Sequence, residues 1–446
     1  MASNAPVRNP SGRRHGRHAS SDERRKIAVT RRSTTGPLDA VPDDPLAASS
    51  PVSPSSTLSP SANPLSPAAL TSPMPRGPRP TSRSPSPLPP KDFSHLLSPS
   101  NFHPLPTQHI PSAFLHSSHQ PPPSTPLPEL LKQGHHRLAA ISAATSLVSS
   151  TSANDYVRIF QLLYIRLACL CLISQHGIAA QEAKVLGDLN SAFYRHPITR
   201  RHLVPWGLRV LCVRLLSAGY GDGRKGIMGF YELAREAREG ETSTANPEQS
   251  DVELWTSCLQ ELGIRVASAL IELNDLEAAA IHLKTLNYPN LSPSAARRLN
   301  MMEALVWLRI GSTTDAQRCI DASTPSSSSD NSPAILAALT ATASGDFDAA
   351  LAVWRDLHAA HPADALVGQN LAVCLIYTGH LAKSREVLEG LVDGGHAFRS
   401  LTFNLATLYE LSSERAREMK LRLAGRVAEG VPSEEGWEGG LGDFKL

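Results

Sequence analysis

Three places in the 446-residue sequence bring together side chains that could do chemistry. His135 and His136 are adjacent imidazoles beside Gly134, but a metal site needs three or four ligands and no third stands near them in the sequence. Cys169 and Cys171 lie two residues apart in an apolar stretch, and on one helix positions i and i+2 face apart, which disfavours joint coordination. The run "GYGDGRKG", residues 219–226, offers glycines and Lys225 to a phosphate. It lacks the G-x-x-x-x-G-K-[ST] spacing and follows a helical pattern instead of a strand. The other cysteines, Cys212, Cys258, Cys319 and Cys374, make no C-x-x-C pair, and all six sit in apolar helical context, as reduced core thiols do. No Ser-His-Asp arrangement can be singled out. The expectation is no catalytic residue, no cofactor, no metal and no small-molecule substrate.

The elements that would position such residues form a repeat. Four turns recur, around Asn274, Gly311, Gly345 and Gly379, at intervals of 37, 34 and 34 residues. Five residues after each stands a small residue (Ala279, Ala316, Ala350, Ser384), and seven before each stands alanine (Ala267, Ala304, Ala338, Ala372). A further step of 34 reaches Ser413, with Ala406 and Tyr409 before it. This resembles the tetratricopeptide repeat, a pair of antiparallel helices. The helix-ending glycine takes a left-handed conformation that a Cβ would strain. Small residues sit where two helices cross, and Trp307, Phe347, Trp354, Leu388 and Tyr409 fill the flanking gaps. Ser292-Pro293 and Ser332-Pro333 read as helix starts, and Ser250 to Glu253 has capping-box spacing. The fold expected is all-α: an α-solenoid of helical hairpins, each repeat needing its neighbours to bury its faces. Residues 128–250 form irregular N-terminal hairpins, 251–430 the repeats, and 431–446 a Gly/Glu-rich tail.

Residues 1–127 hold most of the proline and many of the serines, a composition that cannot offset ordering entropy by burial. They read as a disordered, basic tail, with 13 Lys/Arg against 6 Asp/Glu, dispensable for folding. The folded part is mildly acidic, 30 against 35, which argues against a nucleic-acid partner. Eight Ser-Pro steps, at Ser50, Ser53, Ser59, Ser66, Ser72, Ser84, Ser86 and Ser98, are candidate sites for proline-directed phosphorylation. The first 32 residues carry nine Arg/Lys, readable as a localisation signal, an anionic-lipid patch or a solvated tail. The N-terminus has no apolar signal-peptide core, and the most apolar run, 164–173, is far short of a membrane span and contains Arg166. The chain is expected in the cytoplasm, membrane-associated only peripherally and through partners.

Asn370 and Asn404 occupy the helix-A position where an asparagine can hydrogen-bond a bound peptide, although Ser400 replaces the cation of a carboxylate clamp. The last helix interleaves Met419, Leu421, Leu423 and Val427 with Arg415, Arg417, Lys420 and Arg422. Its apolar side is expected to cover the preceding helix. Its basic side, Arg415, Lys420 and Arg422 above all, is then free for an acidic partner.

The stretch "NLAVCLIYTG" from Asn370 to Gly379, followed by "FNLATLYEL" from Phe403 to Leu411, resembles the C-terminal repeats of the transport protein particle (TRAPP) complex subunit twelve family. "VPWGLRVL" (204–211), the helix around Trp255 and the closing "GDFKL" add to the resemblance. Glu418, at the small-residue position of the last repeat, departs from it. The family implies a non-catalytic scaffold subunit of a multisubunit vesicle tether in ER-to-Golgi transport and autophagy, at ER–Golgi intermediate and Golgi membranes, whose partners are other subunits of the complex. The alternative is a peptide receptor or adaptor of the co-chaperone or ubiquitin-ligase type.

Overall fold

The repeating turns take the backbone form that their chemistry requires. Gly311, Gly345 and Gly379 have φ of 95°, 80° and 80°, and Asn274 has 61°. At each, the next amide donates to the carbonyl five residues earlier: Ser312 to Trp307, Asp346 to Ala341, His380 to Leu375 and Asp275 to Leu270, at 2.8–3.0 Å. That bond closes one helix. The residue making it usually opens the next, since Asp275, Ser312 and Asp346 accept first-turn amides on their side chains.

The computed structural model describes residues 91–446 apart from 243–248, 287–290 and 323–330. Among the described residues the regular structure is helical, with one isolated β-bridge between Arg195 and His202. The first hairpins pair α1 (Leu127–Lys132) with α2 (His136–Ser150), α3 (Tyr156–Leu172) with α4 (His176–Ala183), and α5 (Trp206–Ala218) with α6 (Gly223–Thr242). Next come α7 (Gln249–Glu272) with α8 (Leu276–Thr285), and α9 (Pro293–Ile310) with α10 (Thr313–Asp321). The last three pair α11 (Ser332–Ala343) with α12 (Phe347–Ala360), α13 (Ala365–Tyr377) with α14 (Leu381–Asp393), and α15 (Arg399–Ser412) with α16 (Ala416–Ala428). This is a tetratricopeptide-type α-solenoid.

A left-handed turn residue recurs upstream at uneven spacing: Gly134, Ser174 and Gly221 have φ of 66°, 61° and 71°. His135 and Gln175 make the same backward bonds, to Leu130 and Leu170, at 2.9 and 2.8 Å. Ala139, Ala179, Ala279, Ala316, Ala350 and Ser384, each five residues past its turn, are fully buried. Ser384 Oγ also donates to Ala372 O across its hairpin at 2.9 Å. Trp354 and Leu388 are fully buried beside these crossings, while Trp307 and Phe347 are half-buried.

Four expectations change. Residues 91–127 do not belong to a tail. Phe93 and Leu96 pack into the core of α2, α3 and α5, and Phe114, on the one-turn helix Ser112–Leu115, joins the core of the last hairpin. Averaged composition hides such anchors. Proline also lowers the conformational freedom that an extended segment loses on docking, so a few aromatic anchors suffice. Residues 431–446 are not a free tail either. Trp437 and Phe444 are buried around Phe114, and Leu441 N donates to His109 O at 2.7 Å.

The other two changes are local. Ser413, the eighth turn position, is extended with φ of −150°, and Glu418 beyond it is exposed. α7 begins at Gln249, upstream of the expected capping box, and Asn331 instead of Ser332 precedes α11. Ser292 does cap α9 as expected, accepting from Ala295 N.

Together the two terminal segments tie the first hairpins to the last. Glu438 receives the Arg137 guanidinium of α2 at 2.7–3.0 Å. His135 packs edge-on to Trp437, with ring centroids 5.1 Å apart. Ser117 Oγ and the His119 ring bond the carbonyls of Ala428 and Glu429 at the end of α16. At the other end of this strap, Arg166 is 1% exposed and holds Glu182 of α4 through two bonds of 2.7 and 2.9 Å. It also donates to the carbonyls of His103 and Ala140.

Candidate partner-docking surface

The residues that looked most like chemistry are structural. His135 and His136 are buried under Trp437 and Gly436, and burial pushes both imidazoles below their ordinary pKa. No group of three or more His, Cys, Asp or Glu able to hold a metal occurs among the described residues. The glycine-rich run is a hairpin turn: a Cβ at Gly219 would lie 2.2 Å from the Ala180 Cβ, and Lys225 pairs with Asp222 at 2.8 Å. None of the six cysteines forms a disulfide; Cys169, Cys258 and Cys374 are buried and the rest half-buried. Burial raises the Cys169 thiol to about 11 and Cys212 to about 12, so both stay protonated at neutral pH.

The last two hairpins are joined by polar bonds as well as packing. Gln369 of α13 reaches the Ser400 carbonyl at 3.4 Å, and Tyr409 of α15 donates to Glu389 of α14 at 3.0 Å. Burial and the Glu389 carboxylate raise the pKa of that phenol. Asn370 uses its amide on its own helix, donating to Leu366 O at 2.8 Å. Asn404 is half-buried and forms no side-chain hydrogen bond with a described residue.

The cations of the last helix divide. Lys420 is only 8% exposed and donates to Glu410 at 2.9 Å and to the Lys445 carbonyl at 2.6 Å. It therefore holds the C-terminal segment against α15 and is not available to a partner, because α16 is covered on that side. Lys445 pairs with the same Glu410, whose carboxyl the two ammonium groups hold below its ordinary range. Arg415 and Arg417 are exposed with no acidic partner among the described residues, and Arg422 makes only an exposed bond to Glu418, one turn away. Leu423 and Val427 are buried as expected, whereas Leu421 is exposed beside the arginines. The open surface is thus Arg415, Arg417 and Arg422 around Leu421.

Of the Ser-Pro steps, Ser98 alone is described: half-buried, in extended backbone, its Oγ 2.8 Å from Ser100 Oγ. Ser50, Ser53, Ser59, Ser66, Ser72, Ser84 and Ser86 lie outside the described residues, as does the basic cluster of the first 32. No described helix is long and apolar enough to cross a membrane.

No family model matches the chain. It is 26% identical over 300 residues to "Trafficking protein particle complex subunit 12" of Homo sapiens, covering 60% of this chain and 40% of that protein. The Mus musculus protein of the same name is also 26% identical over 300 residues, covering 60% and 37%. This chain is an α-solenoid of tetratricopeptide-type hairpins, similar over those 300 residues to that subunit. It spans about two-fifths of the length of these relatives. Among solved structures, a tetratricopeptide repeat protein from Parabacteroides merdae aligns with 59% of this chain and 98% of its own, at TM-score 0.36 and 12% identity.

Proposed function

We propose that the chain is a non-catalytic scaffold subunit of a TRAPP-type tethering complex, acting in ER-to-Golgi transport and autophagy at ER–Golgi intermediate and Golgi membranes. The observation that carries this reading is the 300-residue similarity to a trafficking-complex subunit. Its partners are other subunits of the complex, met through helical surfaces. The exposed arginines of α16 favour an acidic partner face there. The peptide-receptor alternative is weakened because Asn370, one of its two asparagines, is engaged by its own helix.

The full chain, purified from its own cells, should co-elute stoichiometrically with a large assembly on size exclusion, its subunits identified by mass spectrometry. Reversing Arg415, Arg417 and Arg422 to glutamate leaves the Lys420–Glu410 pair intact. That variant should melt like the parent chain yet leave the assembly. A full chain that elutes alone and binds isolated peptides would refute the scaffold reading. An intact assembly with the reversed variant would refute this docking face only.

A further inference from the structure

We propose that the hairpin from Tyr194 to Leu203 is a membrane-contact element that docks on an anionic lipid surface. It lies between α4 and α5, far in sequence from the α16 arginines. Two backbone bonds, His196 N to Arg201 O at 2.8 Å and Leu203 N to Tyr194 O at 2.8 Å, close it. The His196 ring accepts the amides of Ile198 and Thr199 at 3.3 and 3.2 Å, and Arg195 donates to the Arg200 carbonyl at 3.4 Å. Arg200, with φ of 54°, completes the turn. The base is pinned to the core: Tyr194 OH donates to Leu186 O at 2.6 Å and the His202 ring bonds Leu189 O at 2.8 Å. A hairpin bonded in this way presents a fixed tip.

The tip is convex. Pro197, Ile198, Thr199, Arg200 and Arg201 are all exposed, and Ile198, at 73%, is the most exposed large apolar residue of the hairpin. Phe193, beside the base, is also exposed, with Lys91 over its ring at 5.5 Å. No acidic residue occurs between Asp188 and Asp222 in the sequence. The carboxylate that does reach the base, Glu236, serves Arg209 and Arg195. Arg200 and Arg201 have no acidic partner among the described residues.

An exposed isoleucine flanked by uncompensated arginines matches the boundary between headgroup phosphates and acyl chains, where each basic residue adds electrostatic attraction and the apolar tip inserts. An acidic protein groove would answer the arginines but asks for a residue pointing into a pocket. This tip instead shows every side to a broad surface, which a bilayer supplies. The inference extends the membrane association expected through partners to a contact made by this chain itself.

The test uses the full chain and phosphatidylcholine vesicles with or without a minority of phosphatidylserine. The chain should sediment with the anionic vesicles and stay in solution with the neutral ones. Arg200→Asn with Arg201→Gln keeps a residue type that tolerates positive φ at 200 and should lower the partition roughly 25-fold, about 5-fold for each charge. In a separate variant, Ile198→Trp, brominated acyl chains should quench fluorescence beyond that of the parent chain. This local signal separates the hairpin from the basic N-terminal sequence, which every variant shares. Equal partition of the double variant and the parent chain, or no added quenching at position 198, overturns the proposal. Loss of the double variant from the large assembly without any vesicle binding also overturns it, and assigns the tip to an acidic protein.

Discussion

Arg166 is the most informative single position for stability, because one buried guanidinium joins three helices and the N-terminal strap. Replacing it with methionine keeps most of the stem's volume and removes the charge. Glu182, 5% exposed, then loses both of its guanidinium bonds and keeps the His103 amide, at 2.8 Å, with the His103 ring nitrogen 3.7 Å away. The His103 carbonyl loses its 2.8 Å donor at the same time. Removing one partner of a buried ion pair costs about 3–5 kcal/mol, a large share of the roughly 5–15 kcal/mol that a folded domain has in total.

Urea unfolding followed by circular dichroism reads the global loss. Because a solenoid can unfold in parts, limited proteolysis within residues 91–105 supplies a local reading. The double variant Arg166→Met with Glu182→Leu removes the stranded charge. It should recover most of the loss, leaving about 1–3 kcal/mol for the unpaired strap backbone. The expected order of stability is parent, double variant, single variant. A single variant within about 1 kcal/mol of the parent, or a double variant less stable than the single, would refute the reasoning.

Gly345→Val should cost about 1–2 kcal/mol from backbone strain alone, since nothing lies within 4 Å of the added Cβ. Gly134→Ala should cost more in the same thermal melts, because its Cβ would lie 2.1 Å from the Ser433 carbonyl and displace the C-terminal segment. Ala350→Leu should destabilise by about 1–3 kcal/mol through overpacking at a fully buried crossing. A chain beginning at residue 125 should melt well below one beginning at 91, since it lacks Phe93, Leu96 and Phe114, each worth about 1.5–3 kcal/mol of burial before ordering entropy is subtracted. Acidification should also weaken the fold. His135 and His136 have depressed folded pKa values from burial, so below the ordinary histidine range the unfolded chain binds protons that the folded chain refuses. Stability should therefore fall as pH drops through 6.5, and a His135→Phe/His136→Phe variant should lose part of that dependence. His202, which burial also depresses, should contribute in the same direction.

The repeat was legible because its positions are fixed by backbone chemistry. A left-handed turn favours glycine or asparagine and a helix crossing needs a small residue, so Gly311, Gly345, Gly379, Ala316 and Ala350 stand out at one spacing. Ser174 escaped because serine carries no such signature, and its left-handed conformation emerges only when Gln175 bonds Leu170. Lys420 escaped for a different reason. Its charge suggested a free face, but its partners, Glu410 and the Lys445 carbonyl, lie 10 and 25 residues away on other elements. Phe93 and Phe114 were masked by the proline and serine around them, since composition averages a segment while anchoring depends on single side chains.

Tying the first hairpins to the last changes what a partner can use. In an open array the final helix presents an apolar end that needs a polar cap or a neighbour. Here Phe114, Trp437 and Phe444 fill that end, and Lys420 and Arg137 fasten the filling segments. Apolar burial at the end of the array is therefore satisfied within the chain. A partner on α16 is left with a polar rim, Arg415, Arg417 and Arg422, and one exposed leucine, Leu421. A surface of that kind gives orientation and salt-sensitive association more than deep hydrophobic affinity. Docking there should weaken steeply with ionic strength, whereas the strap, held by buried aromatics and enclosed ion pairs, should not release.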